Sequence, residues 1–459
     1  MRLVTFAVLA PLFFGQEPAA AEITVIHAGW LLAVPGEAPV RRQTIVVEDD
    51  RIVQVTGGFT GRAELGGAGA AARFVDLSDA FVLPGLIDSH VHLASAPGRG
   101  RAGVAQTEAE LALTASRHAR LTLQAGFTTV VDLGTAGVPG HENAIFAVRD
   151  AVRNGTIAGP RILAAGTPIA ASGLARTVSY RDEVMATFDM RSICDGADDC
   201  RRAVRHQVKR GSDMIAFFNT GSLLDADPVV QTMTGAEMRA IVEAAHALGL
   251  KVVADGHHAA GIAAADLAGA DILDSLHLYD AMTFKSLSRD VFVQSHIYGV
   301  VQAVGATPET LHDGLWGWLP EPLLRRFQAI RLRPFAVIEA YRSGIRNISY
   351  ASDAGVYEWG ENAADLVEFV ARGIPEAEAI RIATLNPARM LGLDRDLGSI
   401  EPGKKADIIA AIGNPLVEIS ELRHVCFVMR DGVIFRQDDI ASTAAGKNAS
   451  EDFTRQRLR

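Results

Sequence analysis

Val82-Leu83-Pro84-Gly85-Leu86-Ile87-Asp88-Ser89-His90-Val91-His92 is the stretch from which the rest of the chain can be ordered. An apolar run passes through a Pro-Gly turn and ends in a His-x-His pair. Residues i and i+2 of a strand share a face, so His90 and His92 point together. Enzymes built on parallel barrels keep their chemistry at the C-terminal mouth of the strands. Two imidazoles placed there form a metal claw.

The region downstream supplies the barrel. Short apolar runs occur at Phe81–Ile87, Thr128–Asp132, Arg161–Ala165, Met214–Phe218, Lys251–Ala254, Asp271–Leu276, Val291–Val293 and Ile348–Ala351. Amphipathic segments separate them, among them Glu108–Leu123, Ala144–Arg153, Gly235–Leu248 and Pro322–Arg342. Such alternation signals βα units and a parallel sheet, and eight runs is the count of a (β/α)8 barrel. The flanks have a different texture. Residues 22–80 alternate β-rich runs with Gly/Pro/Asp turns, and strand-like runs return at Asp407–Ile412 and Val425–Val433. The expected fold is α/β: a TIM-like barrel over residues 81–392, inserted in a composite β-sandwich built from residues 22–80 and 393–440. The polar stretch 441–459 lacks periodicity and reads as a mobile tail.

Composition bounds the function. With 459 residues, 49% hydrophobic and 21% charged, the chain can bury a large core. A net charge of −10 without a long Lys/Arg block argues against a nucleic-acid partner. Three cysteines are too few for a disulfide scaffold or a Cys-rich zinc module. Arg2, the apolar run Leu3–Phe14 and Ala19-Ala20-Ala21 read as a signal peptide, residues 1–21, cleaved before Glu22. That run is too short to span a bilayer, which takes ~20 apolar residues. The protein is therefore expected in the periplasm or secreted, with no membrane anchor after cleavage. In an oxidising compartment Cys194 and Cys200, which flank a polar turn, either close a loop worth ~2 kcal/mol or remain two thiols. Cys426, in a strand-like run, reads as core.

The His90–His92 segment resembles the first-strand motif of the metal-dependent amidohydrolase superfamily, especially its imidazolonepropionase-like and prolidase-like branch. Gly398–Asp407 and Gly413–Leu416 look like that family's C-terminal sheet signature, and Asn386–Gly392 like the helix before it. The resemblance covers nearly the whole mature chain. It implies a composite sheet domain with an inserted barrel, hydrolysing amides or cyclic amides at one or two metals. It also implies Asp353 as the last-strand ligand and His277 as the sixth-strand histidine, although a stricter register selects Ser275. Two positions depart from the family pattern. The fourth-strand lysine, carbamylated in two-metal members, falls at Ala216, and the fifth-strand histidine falls at Asp255.

These departures shape the expected chemistry. Ala216 offers no donor, so the expectation is one divalent metal per chain, held by His90, His92, Asp255 and Asp353. Zinc comes first, with manganese or iron as harder alternatives favoured by the carboxylates. Asp353 is the expected general base and later proton donor to the leaving amine. His277 is expected to stabilise the oxyanion. His257, on the strand face of Asp255, and His296, ending the seventh run, are expected to touch the small-molecule substrate. Trp316 and Trp318 follow the seventh run and are candidates for lining the pocket. His118, His206 and His246 fall in amphipathic helices and are expected at surfaces or interfaces. The resulting reading is an exported hydrolase of a C–N bond in a small amide, cyclic amide, dipeptide or N-acyl amino acid, with room for homo-oligomerisation. The alternatives are a degenerate barrel that binds a ligand without turnover, and a single-metal deaminase or esterase.

Overall fold

The computed structural model describes residues 21–66, 69, 71–95, 106–134, 142–172, 190–221, 230–279, 282–305, 333, 335–355, 357 and 359–439. Residues 1–20 of the expected signal peptide, the 441–459 tail, Trp316 and Trp318 lie outside them. Four strands open the chain: β1 (Ile23–Leu31), β2 (Val40–Glu48), β3 (Arg51–Gly57) and β4 (Arg73–Pro84). Seven more follow: β5 (Leu86–Val91), β6 (Phe127–Asp132), β7 (Arg161–Ala164), β8 (Ile215–Phe218), β9 (Val252–His258), β10 (Ile272–Leu278) and β11 (Phe292–Val293). The last three are β12 (Ile408–Ala411), β13 (Val425–Arg430) and β14 (Val433–Gln437).

Both chain ends build one hydrogen-bonded sheet, ordered β14-β13-β12-β4-β1-β2-β3. The ends meet where β12 runs antiparallel to β4, with Ile409 opposite Leu83. Alternation along the strands buries Ile26, Ile45, Val75, Val82, Ile408 and Phe427 in one cluster, together with Cys426. Phe81–Pro84, read above as the start of a barrel strand, belongs to this sheet. The first barrel strand begins at Leu86, and Gly85 alone separates the two. A Cβ at Gly85 would lie 2.2 Å from Thr128 Oγ1, so only glycine lets the chain pass so close.

Strands β5-β6-β7 form one parallel group and β8-β9-β10-β11 another. Parallel bridges join them on both sides. Ile169 bridges Phe217 on one side; on the other, Ile348 bridges Val293 and Ala354 bridges Val91. Residues 348–354 thus take the eighth position and close the ring. The helix Glu108–Gln124 illustrates how the outer layer packs. Thr107 and Glu110 make a capping box at its start. Its stripe Leu111, Ala115, Ala119 and Leu123 is buried against the barrel.

Two further ties hold the architecture. Arg161, on β7, reaches Asp407 at 2.8 Å and Asp431 at 2.5 Å, joining barrel to sheet. Cys194 and Cys200 are disulfide-bonded, with Cα atoms 4.9 Å apart. Among the described residues, no helix is long and apolar enough to cross a membrane.

Candidate metal centre

Inside the barrel the side chains form layers. One layer is apolar: Val131, Ala165, Met214, Ala216, Val253 and Ile272 pack together. Ala216 is buried there among hydrocarbon, so β8 offers no metal donor at this position. Towards the C-terminal ends of the strands the lining changes. His90, His92, Asp274, His277 and His296 are buried there, and Asp353 joins them.

His90 Nε2 and His92 Nε2 face each other at 3.1 Å. Asp353 Oδ1 lies 3.4 Å from the first and 3.1 Å from the second. Donors sharing one ion at about 2.0–2.2 Å stand roughly 2.9–3.5 Å apart when they are neighbours in its coordination sphere. The three atoms therefore have the spacing of a common ligand set. Asp353 gets there by an unusual backbone. Its φ is 56°, and its amide donates to the carbonyl of His90 at 2.9 Å. A left-handed non-glycine residue costs about 1–2 kcal/mol, and such strain clusters at functional sites.

Each imidazole is aimed by a second contact. His92 Nδ1 lies 2.6 Å from the Gly134 carbonyl, so Nδ1 donates and Nε2 keeps its lone pair. Gly134 has a φ of 97°, and a Cβ there would lie 2.5 Å from the Gly166 carbonyl. Asp132 fixes this turn by accepting from the amides of Gly134 at 2.9 Å and Leu93 at 2.7 Å. His90 Nδ1 sits 2.7 Å from Asp274 Oδ2, and the Gln294 amide donates to the same oxygen at 2.8 Å.

Strand β10 contributes twice because it is irregular. Ser275 and Leu276 have φ values of 73° and 57°. Asp274 faces inward before this break, while Leu276 turns out to the barrel–helix core. The break then returns His277, rather than Ser275, to the interior. His277 Nε2 meets His296 Nε2 at 2.9 Å, and His296 Nε2 stands 3.3 Å from Asp353 Oδ2. His257 stacks on His277 with ring centroids 5.4 Å apart.

The residues expected from sequence are therefore gathered unevenly. His90, His92, Asp353, His277 and His296 converge, and His257 lies at their edge. Asp255 belongs to neither metal-competent group among the described residues; one is His90, His92 and Asp353, the other His90, Asp274 and His296. His296 is 6% exposed, so it is an interior group and not a rim residue. Asp274 was not singled out from sequence, although alternation from Ile272 places it on the inner face. His118 is also buried. Its Nδ1 lies 2.8 Å from the Leu93 carbonyl, and its ring stacks on Trp359. His246 remains exposed, 2.8 Å from Asp271, and His206 is half-buried on the helix Ala197–Arg210.

The electrostatics follow from this packing. Burial disfavours charge on His90, but Asp274 and Asp353 outweigh it and push the imidazole up to about 10. Burial likewise opposes ionisation of Asp353, yet His296, His90 and His92 hold its carboxyl far below the usual range. Burial and neighbouring imidazoles push His277 well down, and burial lowers His296. Both rings are neutral donors at ordinary pH. A divalent ion suits the ionised carboxylates and neutral rings, and on binding it would displace the extra proton that Asp274 and Asp353 otherwise hold on His90.

Comparison with known proteins agrees with this arrangement. The amidohydrolase family model matches residues 81–435. The ochratoxinase of Aspergillus niger is 25% identical over 475 aligned residues, covering 94% of this chain and 90% of its own. A solved Xaa-Pro dipeptidase with bound methionine superposes with a TM-score of 0.80 at 29% identity, over 90% of this chain and 100% of that one. The solved A. niger ochratoxinase shares the fold, with a TM-score of 0.75 at 24% identity over 91% of this chain and 96% of its own. The chain belongs to the amidohydrolase family, metal-dependent hydrolases of carbon–nitrogen bonds.

Proposed function

We propose that this protein is an exported hydrolase that cleaves the C–N bond of a small amide, cyclic amide, dipeptide or N-acyl amino acid. The observation that carries the reading is Asp353 Oδ1 within 3.4 Å of both His90 Nε2 and His92 Nε2, at the mouth of a closed barrel. Relatives named as an ochratoxinase and an Xaa-Pro dipeptidase support substrates of this size and bond type. The disulfide between Cys194 and Cys200 supports export, since such bonds persist in oxidising compartments.

His90, His92 and Asp353 would hold the ion, with zinc the first choice and manganese or iron the alternatives. A divalent ion there supplies Lewis acidity, polarising a carbonyl and bringing the pKa of water towards neutrality. The chain's own groups do the remaining work. Asp353 is ionised and turns Oδ2 away from the imidazole pair, so this oxygen accepts the proton of the attacking water and delivers it to the leaving nitrogen. His277 faces the same space and stabilises charge developing on the carbonyl oxygen. Asp274 keeps the proton of His90 on Nδ1, and Gly134 does the same for His92. The buried lining excludes bulk water, which strengthens each of these contacts.

The test is a panel of dipeptides, N-acyl amino acids and lactams assayed with metal-loaded and chelator-treated protein. Metal-dependent release of amine from at least one class is expected. Binding of every class without turnover, metal present, would instead favour a barrel that only binds its ligand.

A further inference from the structure

Oδ2 of Asp353, the oxygen read above as the base, has the ring of His296 beside it, with Nε2 3.3 Å away. The sheet leaves His296 beyond its last rung. Strand β11 is only Phe292–Val293, and its backbone bonds to β10 end with the Gln294 amide on the Leu273 carbonyl at 3.0 Å. Ser295 adds one side-chain bond to the Ser275 carbonyl. The two amides that follow His296 are held from elsewhere. Asp365, in the helix Ala364–Ala371, accepts at Oδ1 from the Ile297 amide at 2.8 Å and the Tyr298 amide at 2.6 Å. Tyr298 opens the helix Tyr298–Gly305, and the first amides of a helix have no partner within it. Asp365 is fully buried, and its other oxygen makes no hydrogen bond among the described residues. The polar contacts of this side chain thus go entirely to the segment that follows His296.

The grip is also tied to the strand that carries Asp353. Asp353 and Asp365 lie on one stretch of chain. Between them Asn362 donates to Asp88 Oδ2 at 3.0 Å, and its carbonyl accepts from the Tyr350 hydroxyl. Asp88 further accepts from the amide and the hydroxyl of Ser352, the neighbour of Asp353, at 3.0 and 2.5 Å. One braced stretch therefore sets both Asp353 and the segment that carries His296. We propose that Asp365 is a positioning residue: by holding the amides of Ile297 and Tyr298 it keeps the His296 ring against Oδ2 of Asp353. The proposal rests on the catalytic reading above, in which that oxygen moves the proton. Without the grip, ring and carboxylate lose their common reference, and a misplacement of about 1 Å costs on the order of 10²-fold in rate.

Asp365→Asn and Asp365→Glu separate position from charge. Asparagine keeps an oxygen where Oδ1 stands, whereas glutamate keeps the carboxyl and moves it by one methylene. On a substrate found by the panel above, metal-loaded Asp365→Asn should turn over near the wild-type rate. Asp365→Glu should lose about 10²-fold in kcat with little change in KM. His296→Ala should cost as much, and the double variant no more than either single one, because residues acting through one contact do not add. Each variant should still take up zinc at His90 and His92, read by elemental analysis. Costs that multiply in the double variant, an asparagine variant as slow as the glutamate one, or lost zinc overturn the proposal. Two further readouts need no turnover. Diethyl pyrocarbonate, followed by peptide mass on zinc-loaded protein, should spare His296 in the wild type and Asp365→Asn and acylate it in Asp365→Glu; equal protection in all three overturns the proposal. In the wild type the Ile297 and Tyr298 amides should exchange slowly with deuterium, and exchange as fast as in an open loop overturns it without any variant. A panel that yields no turnover defeats the catalytic reading instead, while acylation and exchange still decide what holds His296.

Discussion

The Nδ1 nitrogen of His90 stands 2.7 Å from a carboxylate oxygen of Asp274, inside the barrel and shielded from solvent. That contact fixes the ring's orientation and keeps its proton away from Nε2. It also makes the imidazole a more basic donor. Asp274→Ala should therefore weaken metal binding by about 10–100-fold, while Asp274→Asn, which still accepts a hydrogen bond, should lose less. Competition with a chromophoric chelator measures both. Equal affinities for all three proteins would mean that Asp274 serves only to fill space.

Asp353→Asn separates coordination from proton transfer. The amide oxygen can still approach His90 and His92, but it cannot take a proton from water. Turnover should fall by about 10²–10⁴-fold with the fold intact. Near-normal activity on any substrate found would move the base elsewhere.

The sequence shows some of this centre plainly and hides the rest for physical reasons. His90 and His92 are legible because a strand's two-residue period aligns them. Ala216 is legible as a missing donor. His296 could have been placed indoors by the same period, since Phe292, Gln294 and His296 alternate, yet β11 spans only two residues and gives a faint signal. His277 could not be placed by period at all. Its inward turn depends on two left-handed residues, Ser275 and Leu276, neither of which is a glycine that would advertise them. The fold was legible from the alternation of apolar runs, except at Gly85, where one strand run serves sheet and barrel in turn.

Arg161 predicts a stability effect remote from the chemistry. Its guanidinium spans Asp407 and Asp431, and its side chain is 24% exposed. Burial lowers its pKa, but both carboxylates outweigh that and hold the charge firmly. Arg161→Met removes the cation that Asp407 and Asp431 share, leaving Asp431 its looser contacts to Arg430 at 3.3 Å and Lys405 at 3.7 Å. Breaking a fully buried pair costs about 3–5 kcal/mol, and partial exposure should reduce this to about 2–3 kcal/mol. Urea unfolding of the metal-loaded protein gives the number. A change below 0.5 kcal/mol would show that barrel and sheet are held by the Gly85 passage and strand pairing alone.

Removing the metal should expose a pH dependence that the loaded protein lacks. In ion-free protein His90 is held protonated up to about 10, against about 6.5 in an unfolded chain. A raised imidazole stabilises the fold fully below pH ~6.5, and the effect is lost as pH rises through ~10. The lowered carboxyl of Asp353 acts in the opposite window, since its contribution is lost only as acid protonates it. Asp88 and Asp132, both pushed up to about 6 mainly by burial, have finished titrating by pH 7. Asp365, held well above the usual carboxylate range by burial, acts in the same direction as His90, so between pH 7 and 9 the stability of ion-free protein should fall with pH, by about 1.4 kcal/mol per unit from His90 alone. Metal binding must displace the same proton from His90, so apparent affinity should rise by up to tenfold per pH unit across this range. Calorimetric titration in buffers of different ionisation enthalpy counts the released proton directly. A metal affinity flat from pH 7 to 9, with no proton released, would show that His90 is already neutral when the ion arrives.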